Sequence, residues 1–320
     1  MGTSPTLPRI GFRPVIAILV VAVLGMLAWR EGYAKGTFGM GFSPRVPSRV
    51  LAGANATAPG GSAGSLAKAS PDAPLVTAAQ ATTAVQRFVR LGLPVYCGGR
   101  LGNFVALTFD DGPGPYTQQT MQILKAWGDR ATFFLVGKKL QYSPELPPQE
   151  AAMGAIGDHT WDHIPLPNLP PLQQRSEIVR TKTALATSTG TQILMFRPPM
   201  EEHSSSLDSL VISLGMLQVM WSADSQDSAG VNEEEFLSNV RAGLRPGAII
   251  LMHENRGTTL AGLEAILQDI RSLGLKTVTV PELLALDPPT PAQVRTDARA
   301  GECVPPSSGP NAFFAEGHRS

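Results

Sequence analysis

The chain is short of cysteine, of charge, and of any surplus of one sign. Two cysteines, Cys97 and Cys303, occur in 320 residues, which excludes a disulfide-rich scaffold and a four-cysteine zinc module. Charged residues make up 16% of the chain, with 26 basic side chains against 26 acidic ones. That balance lacks the basic excess that usually marks a nucleic-acid partner, so none is expected. No internal repeat is visible. Histidine is scarce too, at five residues, which gives weight to where the histidines fall.

One long apolar run is present. Residues 15–29 are apolar throughout with one glycine, preceded by Arg9, Arg13 and Pro14 and closed by Arg30 and Glu31. Such a run is at the upper edge of a signal-peptide core and a little short for a comfortable membrane span. The basic flank favours a cytoplasmic N-terminus. Residues 1–13 therefore read as a cytoplasmic segment and 14–30 as a transmembrane anchor or signal segment. Gly32 and Ala34 have the spacing of a cleavage site, and no cysteine follows closely enough for a lipoprotein. On either reading the rest of the chain is exported.

Residues 31–86 are rich in Gly, Ala, Ser and Pro, as in "LAGANATAPGGSAGSLAKASPDAP". Without periodic apolar residues they cannot bury enough surface to offset their ordering entropy, which predicts a flexible linker. A short helix near residues 76–91 leads into a folded domain over 87–287, and 288–320 reads as an irregular tail. Inside the domain, strand candidates fall at 104–109, 132–136, 193–196, 217–221, 248–252 and 277–280, with an ambiguous run at 155–157. Helical segments alternate with them. The clearest covers 258–273, with Leu260, Leu263, Ile266, Leu267, Ile270 and Leu273 on one face and Gly274 as its stop. Alternation of this kind predicts a parallel α/β sheet, and seven or so units suggest a closed barrel.

Reactive side chains in α/β barrels gather at the C-terminal strand ends. Here Asp110 and Asp111 follow Phe109, His159 follows Asp158, Arg197 follows Phe196, Asp224 lies three past Trp221, and His253 follows Met252. Adjacent carboxylates repel, which is tolerable if a cation lies between them and other ligands. His159 and His163 are four apart, so one helical turn would put both imidazoles on one side. Two histidines, a carboxylate and a water form a catalytic zinc arrangement. Asp111 then binds the metal and Asp110 stays free as a base.

These motifs resemble those of the polysaccharide deacetylases with a NodB-homology domain, carbohydrate esterase family 4. The resemblance covers about residues 96–286: "TFDDGP" at 108–113, "HTWDH" at 159–163, "FRPP" at 196–199, "DSQDS" at 224–228 and "LMH" at 251–253. It implies a distorted (β/α) barrel with a metal site at the C-terminal ends of its parallel strands. Carried over, it makes Asp111, His159 and His163 metal ligands, Asp110 the general base oriented by Arg197, and His253 the general acid tuned by Asp227. The Met200 N–H becomes the oxyanion donor, while Trp161, Asp224 and Leu251 belong to the substrate region. Two places depart from the family pattern. Met200 and Glu201 stand where an aromatic and a glycine are usual, and Ser228 stands for a tryptophan. Both shape groove walls.

The implied activity is metal-dependent removal of N-acetyl groups from an extracytoplasmic glycan, either peptidoglycan or a chitin-like N-acetylglucosamine polymer. An O-acetyl glycan esterase or a non-catalytic wall-binding protein is the alternative. The implied cofactor is zinc, with cobalt or nickel as substitutes. The expected partners are the glycan and, through residues 14–30, a membrane; no obligate protein partner is evident. The expected location is the bacterial cell envelope, anchored and facing outward or secreted. Finally, a thiol pair in an exported chain tends to oxidise. Segments flanking the first and last strands of a closed barrel can meet, so a Cys97–Cys303 disulfide is expected.

Overall fold

The computed structural model describes residues 74–305. The expected anchor at 14–30 and most of the expected linker lie outside the described residues. In chain order the elements are helix α1 (Ala78–Val89), β1 (Phe104–Gly112), α2 (Thr117–Trp127), β2 (Ala131–Leu135), α3 (Leu146–Met153), β3 (Gly154–Asp158), α4 (Pro171–Thr189), β4 (Met195–Phe196), α5 (Ser205–Ser213), β5 (Leu217–Gln218), β6 (Ala223–Asp224), α6 (Glu233–Gly243), β7 (Ile249–His253), α7 (Gly257–Ser272), β8 (Lys276–Val278), α8 (Val280–Leu286) and α9 (Pro291–Ala300).

The strands are parallel, in the order β5-β4-β3-β2-β1-β7-β6, and β8 pairs with the start of β1. Among the described residues no ladder joins β5 to β6, so the expected closure is not made: the sheet is a half-barrel wrapped by helices, open between β5 and β6, which is the distortion of this (β/α) barrel. Val95 bridges Val219 beside β5 and extends that edge. Central β1 is buried along nearly its whole length, as expected where a parallel sheet is covered on both faces. Leu107, Phe109, Phe133, Ile250 and Met252 form the core with Leu263, Ile266, Leu267 and Ile270 of α7. Of the predicted apolar face, Leu263, Ile266, Leu267 and Ile270 are buried, Leu260 is half-buried, and Leu273, at the helix end, is exposed.

Three expectations change. The run 217–221 is not one strand: β5 stops at Gln218 and β6 starts at Ala223. The reason is that the buried Arg197 side chain takes the carbonyls of Val219 and Met220. The tail is not wholly irregular, because Pro291–Ala300 form α9, entered by a capping box between Thr290 and Gln293. Its apolar signal is weak, since Val294 and Asp297 are its buried residues. The folded part also begins before residue 87: Val85 and Phe88 of α1 pack on Leu283 and Leu284. Cys97 and Cys303 form a disulfide closing a separation of 206 residues, packed with Tyr96, Met220 and Trp221.

Candidate active site

The two adjacent carboxylates at the end of β1 share a site because the strand is irregular there. Successive residues of a regular strand face opposite sides. Pairing of β1 with β2 slips between Asp110 and Gly112, which leaves Asp111 as a bulge at φ +69°. Bulges re-aim side chains. Both carboxylates now reach one imidazole: His159 Nε2 lies 3.6 Å from Asp110 Oδ2 and 3.8 Å from Asp111 Oδ1.

His159 follows β3. Its Nδ1 donates to the Arg197 carbonyl at 2.8 Å, which leaves the Nε2 lone pair for a ligand. Burial pushes this imidazole down, against the pull of Asp110 and Asp111, so its neutral, ligating form is favoured. His163 Nε2 is 3.0 Å from Asp111 Oδ1. The expected helical turn between the histidines is absent. Thr160 and His163 have φ of +65° and +55°, and a loop brings the ring centroids to 4.9 Å.

The ligand atoms of Asp111, His159 and His163 lie within 4.8 Å of one another. Asp111 Oδ1 is buried and accepts no well-aligned hydrogen bond, while Oδ2 accepts from Asn255 Nδ2 at 3.0 Å. Burial alone would raise the Asp111 carboxyl, but contact with His163 and the neighbouring imidazoles of His159 and His253 hold it well below the usual range. An ionised carboxylate with a bare buried oxygen beside two imidazoles fits a zinc-type divalent ion.

Asp110 meets the triad at His159, with its Oδ1 turned to Arg197. Its Oδ1 accepts from Arg197 Nη1 at 2.8 Å. Arg197 is fully buried, and its remaining donors reach Thr108 Oγ1 at 2.8 Å and the carbonyls of Val219 and Met220 at 3.0 Å each. The guanidinium also lies 4.1 Å from the Phe134 ring centroid and 5.5 Å from that of Trp221. Burial lowers its pKa while Asp110 opposes. This is a fixed, directional support for one carboxylate.

His253 pairs with Asp110 across the β1–β7 ladder. Asp227 receives it twice: Nδ1 is 2.6 Å from Oδ1, and the His253 N–H donates to Oδ2 at 2.8 Å. The Thr259 hydroxyl also donates to Oδ2. Burial lowers the His253 imidazole, but the Asp227 hydrogen bond and charge, with Asp110 and Asp111, raise it overall. Burial raises Asp227 in turn, and its bonds to His253 and Thr259 bring it down.

Other expected substrate-side residues are placed less tellingly. Asp224 is half-buried and accepts from the N–H and Nε2 of Gln226, at 2.7 and 2.6 Å, a turn that leads to Asp227. Burial and the nearby Asp227 and Asp110 charges raise it, against the Gln226 and His253 contributions. Leu251 is buried on the His253 face of β7, two residues away. Trp161 is half-buried, with the Arg180 guanidinium 4.1 Å from its ring centroid. Met200 is exposed, at φ +59°.

Residues 99–219 match the family described as polysaccharide deacetylase. A peptidoglycan-N-acetylglucosamine deacetylase of Bacillus cereus is 33% identical over 187 residues, which cover 56% of this chain and 87% of that relative. The chain belongs to the polysaccharide deacetylase family. The peptidoglycan-N-acetylglucosamine deacetylase PgdA of Listeria monocytogenes is also 33% identical, over 181 residues and 56% of this chain, but the match spans only 38% of that longer protein. Among solved structures, a family 4 carbohydrate esterase pseudoenzyme from Bacillus anthracis superimposes with a TM-score of 0.57 at 25% identity, covering 60% of this chain and 68% of that one.

In this polysaccharide deacetylase chain one of the two departures from the family pattern sits where the backbone is unusual. Met200 and Glu201 both hold positive φ, +59° and +60°, a conformation that glycine adopts at least cost. Sequence reasoning missed Thr108, Asn255 and Thr259, which support Arg197, Asp111 and Asp227. Single hydroxyls and amides carry no spacing signal. Asn255 lies two residues past His253, and that proximity was the one available hint.

Proposed function

We propose that this chain is a metal-dependent hydrolase that removes N-acetyl groups from an extracytoplasmic glycan, with peptidoglycan as the substrate class. The observation that carries the reading is one site in which a base pair, Asp110–Arg197, and an acid pair, His253–Asp227, flank the Asp111–His159–His163 triad.

The triad would hold the ion, for which zinc, cobalt or nickel suits the donors. When bound, it supplies Lewis acidity and lowers the pKa of a coordinated water. Asp110 accepts the proton of the attacking water, with Arg197 fixing which oxygen stays free. The Met200 N–H serves as a donor to charge developing on the acetamide oxygen. Protonated His253 delivers a proton to the departing amine nitrogen, and Asp227 keeps that imidazole charged near neutrality. Base ionised and acid protonated together give a bell-shaped pH profile. Trp161, Leu251 and Asp224 belong to the substrate side.

The named relatives act on peptidoglycan, which supports that substrate class over chitin-like polymers and O-acetylated glycans. The cell envelope follows as the location, with residues 14–30 as anchor or signal. Among the described residues no helix is long and apolar enough to cross a membrane. Wall binding without catalysis is the second reading, raised by the pseudoenzyme on the same fold. Intact Asp110 and His253, each with its partner, favour turnover.

The test is acetate release from peptidoglycan, chitin oligomers and acetylated xylan by the metal-loaded chain. Release from peptidoglycan, lost in Asp110→Asn, supports the reading. Binding without release from any of the three overturns it.

A further inference from the structure

We infer that Glu177 is a positioning residue for the metal-ligand loop: its carboxylate holds the segment between His159 and His163 in the shape that carries both imidazoles to Asp111. The inference rests on the metal-site reading above.

The loop is not self-supporting. Thr160 and His163 lie in the left-handed region, which costs a side-chain-bearing residue free energy and persists only where its surroundings impose it. Its backbone N–H groups find no ladder. Thr160 N–H donates to Asp158 Oδ1 at 2.8 Å and His163 N–H to Thr160 Oγ1 at 3.1 Å. Between them, the N–H groups of Trp161 and Asp162 converge on one atom, Glu177 Oε2, at 3.0 and 2.8 Å. Successive amides around one anionic oxygen form a nest, and the charge strengthens both bonds.

Glu177 does not act alone. It is buried on α4, and Arg180 and Thr181 follow it at i+3 and i+4, on the same helix face. Arg180 covers the Trp161 ring. Across the loop, Gly137 N–H donates to the Thr160 carbonyl at 2.9 Å and Lys138 N–H to that of Trp161 at 3.0 Å. A Cβ on Gly137 would come within 2.5 Å of both Trp161 and Thr181. Loop, helix and turn are therefore in tight contact, and Glu177 is the charged member that fixes the loop's amides.

Outer partners that orient metal ligands typically contribute 10–100-fold in metal affinity. The test is zinc affinity of the full chain, by competition with a chromogenic chelator, for wild type, Glu177→Ala and Glu177→Gln, with far-UV circular dichroism on each. We expect Glu177→Ala to bind zinc 10–100-fold more weakly. Glu177→Gln, which keeps a neutral acceptor oxygen, should recover part of the loss. Should the alanine variant fail to fold, a weaker site in the folded glutamine variant carries the result. Wild-type affinity in both folded variants, or in the glutamine variant when only that one folds, overturns the inference. A wild-type chain that binds no zinc overturns the metal-site reading and this inference with it.

Discussion

Asp227 grips His253 at two points, the ring Nδ1 at 2.6 Å and the main-chain N–H at 2.8 Å, one carboxylate oxygen to each. The ring is thereby held in both position and protonation state. In Asp227→Asn the charge that raises His253 is gone, so its pKa falls and the protonated acid is lost at lower pH. The basic limb of the kcat/KM profile should move to lower pH, with activity at pH 8 down on the order of 100-fold. An unmoved limb would take the acid role away from this pair.

The metal and base roles separate by mutation. Asp111→Ala, His159→Ala and His163→Ala should each lose bound metal in elemental analysis of the purified chain. Asp110→Asn removes no ligand. It should keep one ion and lose activity by roughly 10²–10⁴-fold. Full occupancy in any ligand variant would remove that residue from the site.

Arg197→Lys keeps the charge but not the fork. A lysine ammonium cannot reach Asp110, Thr108 and two carbonyls from one plane, so kcat should drop while KM changes little. Steady-state kinetics on one soluble oligomer reads both constants. An unchanged kcat would reduce Arg197 to a structural cation.

Stability should fall as pH rises. Glu150 and Glu254 are both buried and contact each other. Burial pushes Glu254 up to about 7 despite bonds from Glu150 and Thr117, and burial with the Glu254 charge raises Glu150 well above its ordinary 4.5. Between pH 4.5 and about 7 the folded chain keeps a proton that the unfolded chain has released. Folding therefore weakens as pH rises through that window. Melting temperatures from pH 5 to 8 should decline, and Glu150→Gln should flatten the decline. A pH dependence left unchanged by Glu150→Gln would take the retained proton away from this pair.

Much of the site was legible because its residues end strands. Asp110, His159, Arg197 and His253 could be placed from where apolar runs stop. The geometry that joins them was not. A period-two strand sends Asp110 and Asp111 apart, and nothing in "TFDDGP" announces the bulge that reunites them. The histidine spacing suggested a helix, whereas left-handed residues and amides held from α4 do the work. The split of 217–221 depended on Arg197, a partner distant in sequence. Helix α9 escaped because a helix burying so few side chains leaves almost no apolar period.

The disulfide between Cys97 and Cys303 gives the domain the covalent topology of a ring. All eight strands lie between its two cysteines. A single cut in any loop inside that span would open the ring without releasing a fragment, so a nicked chain would stay one molecule until a reductant arrived.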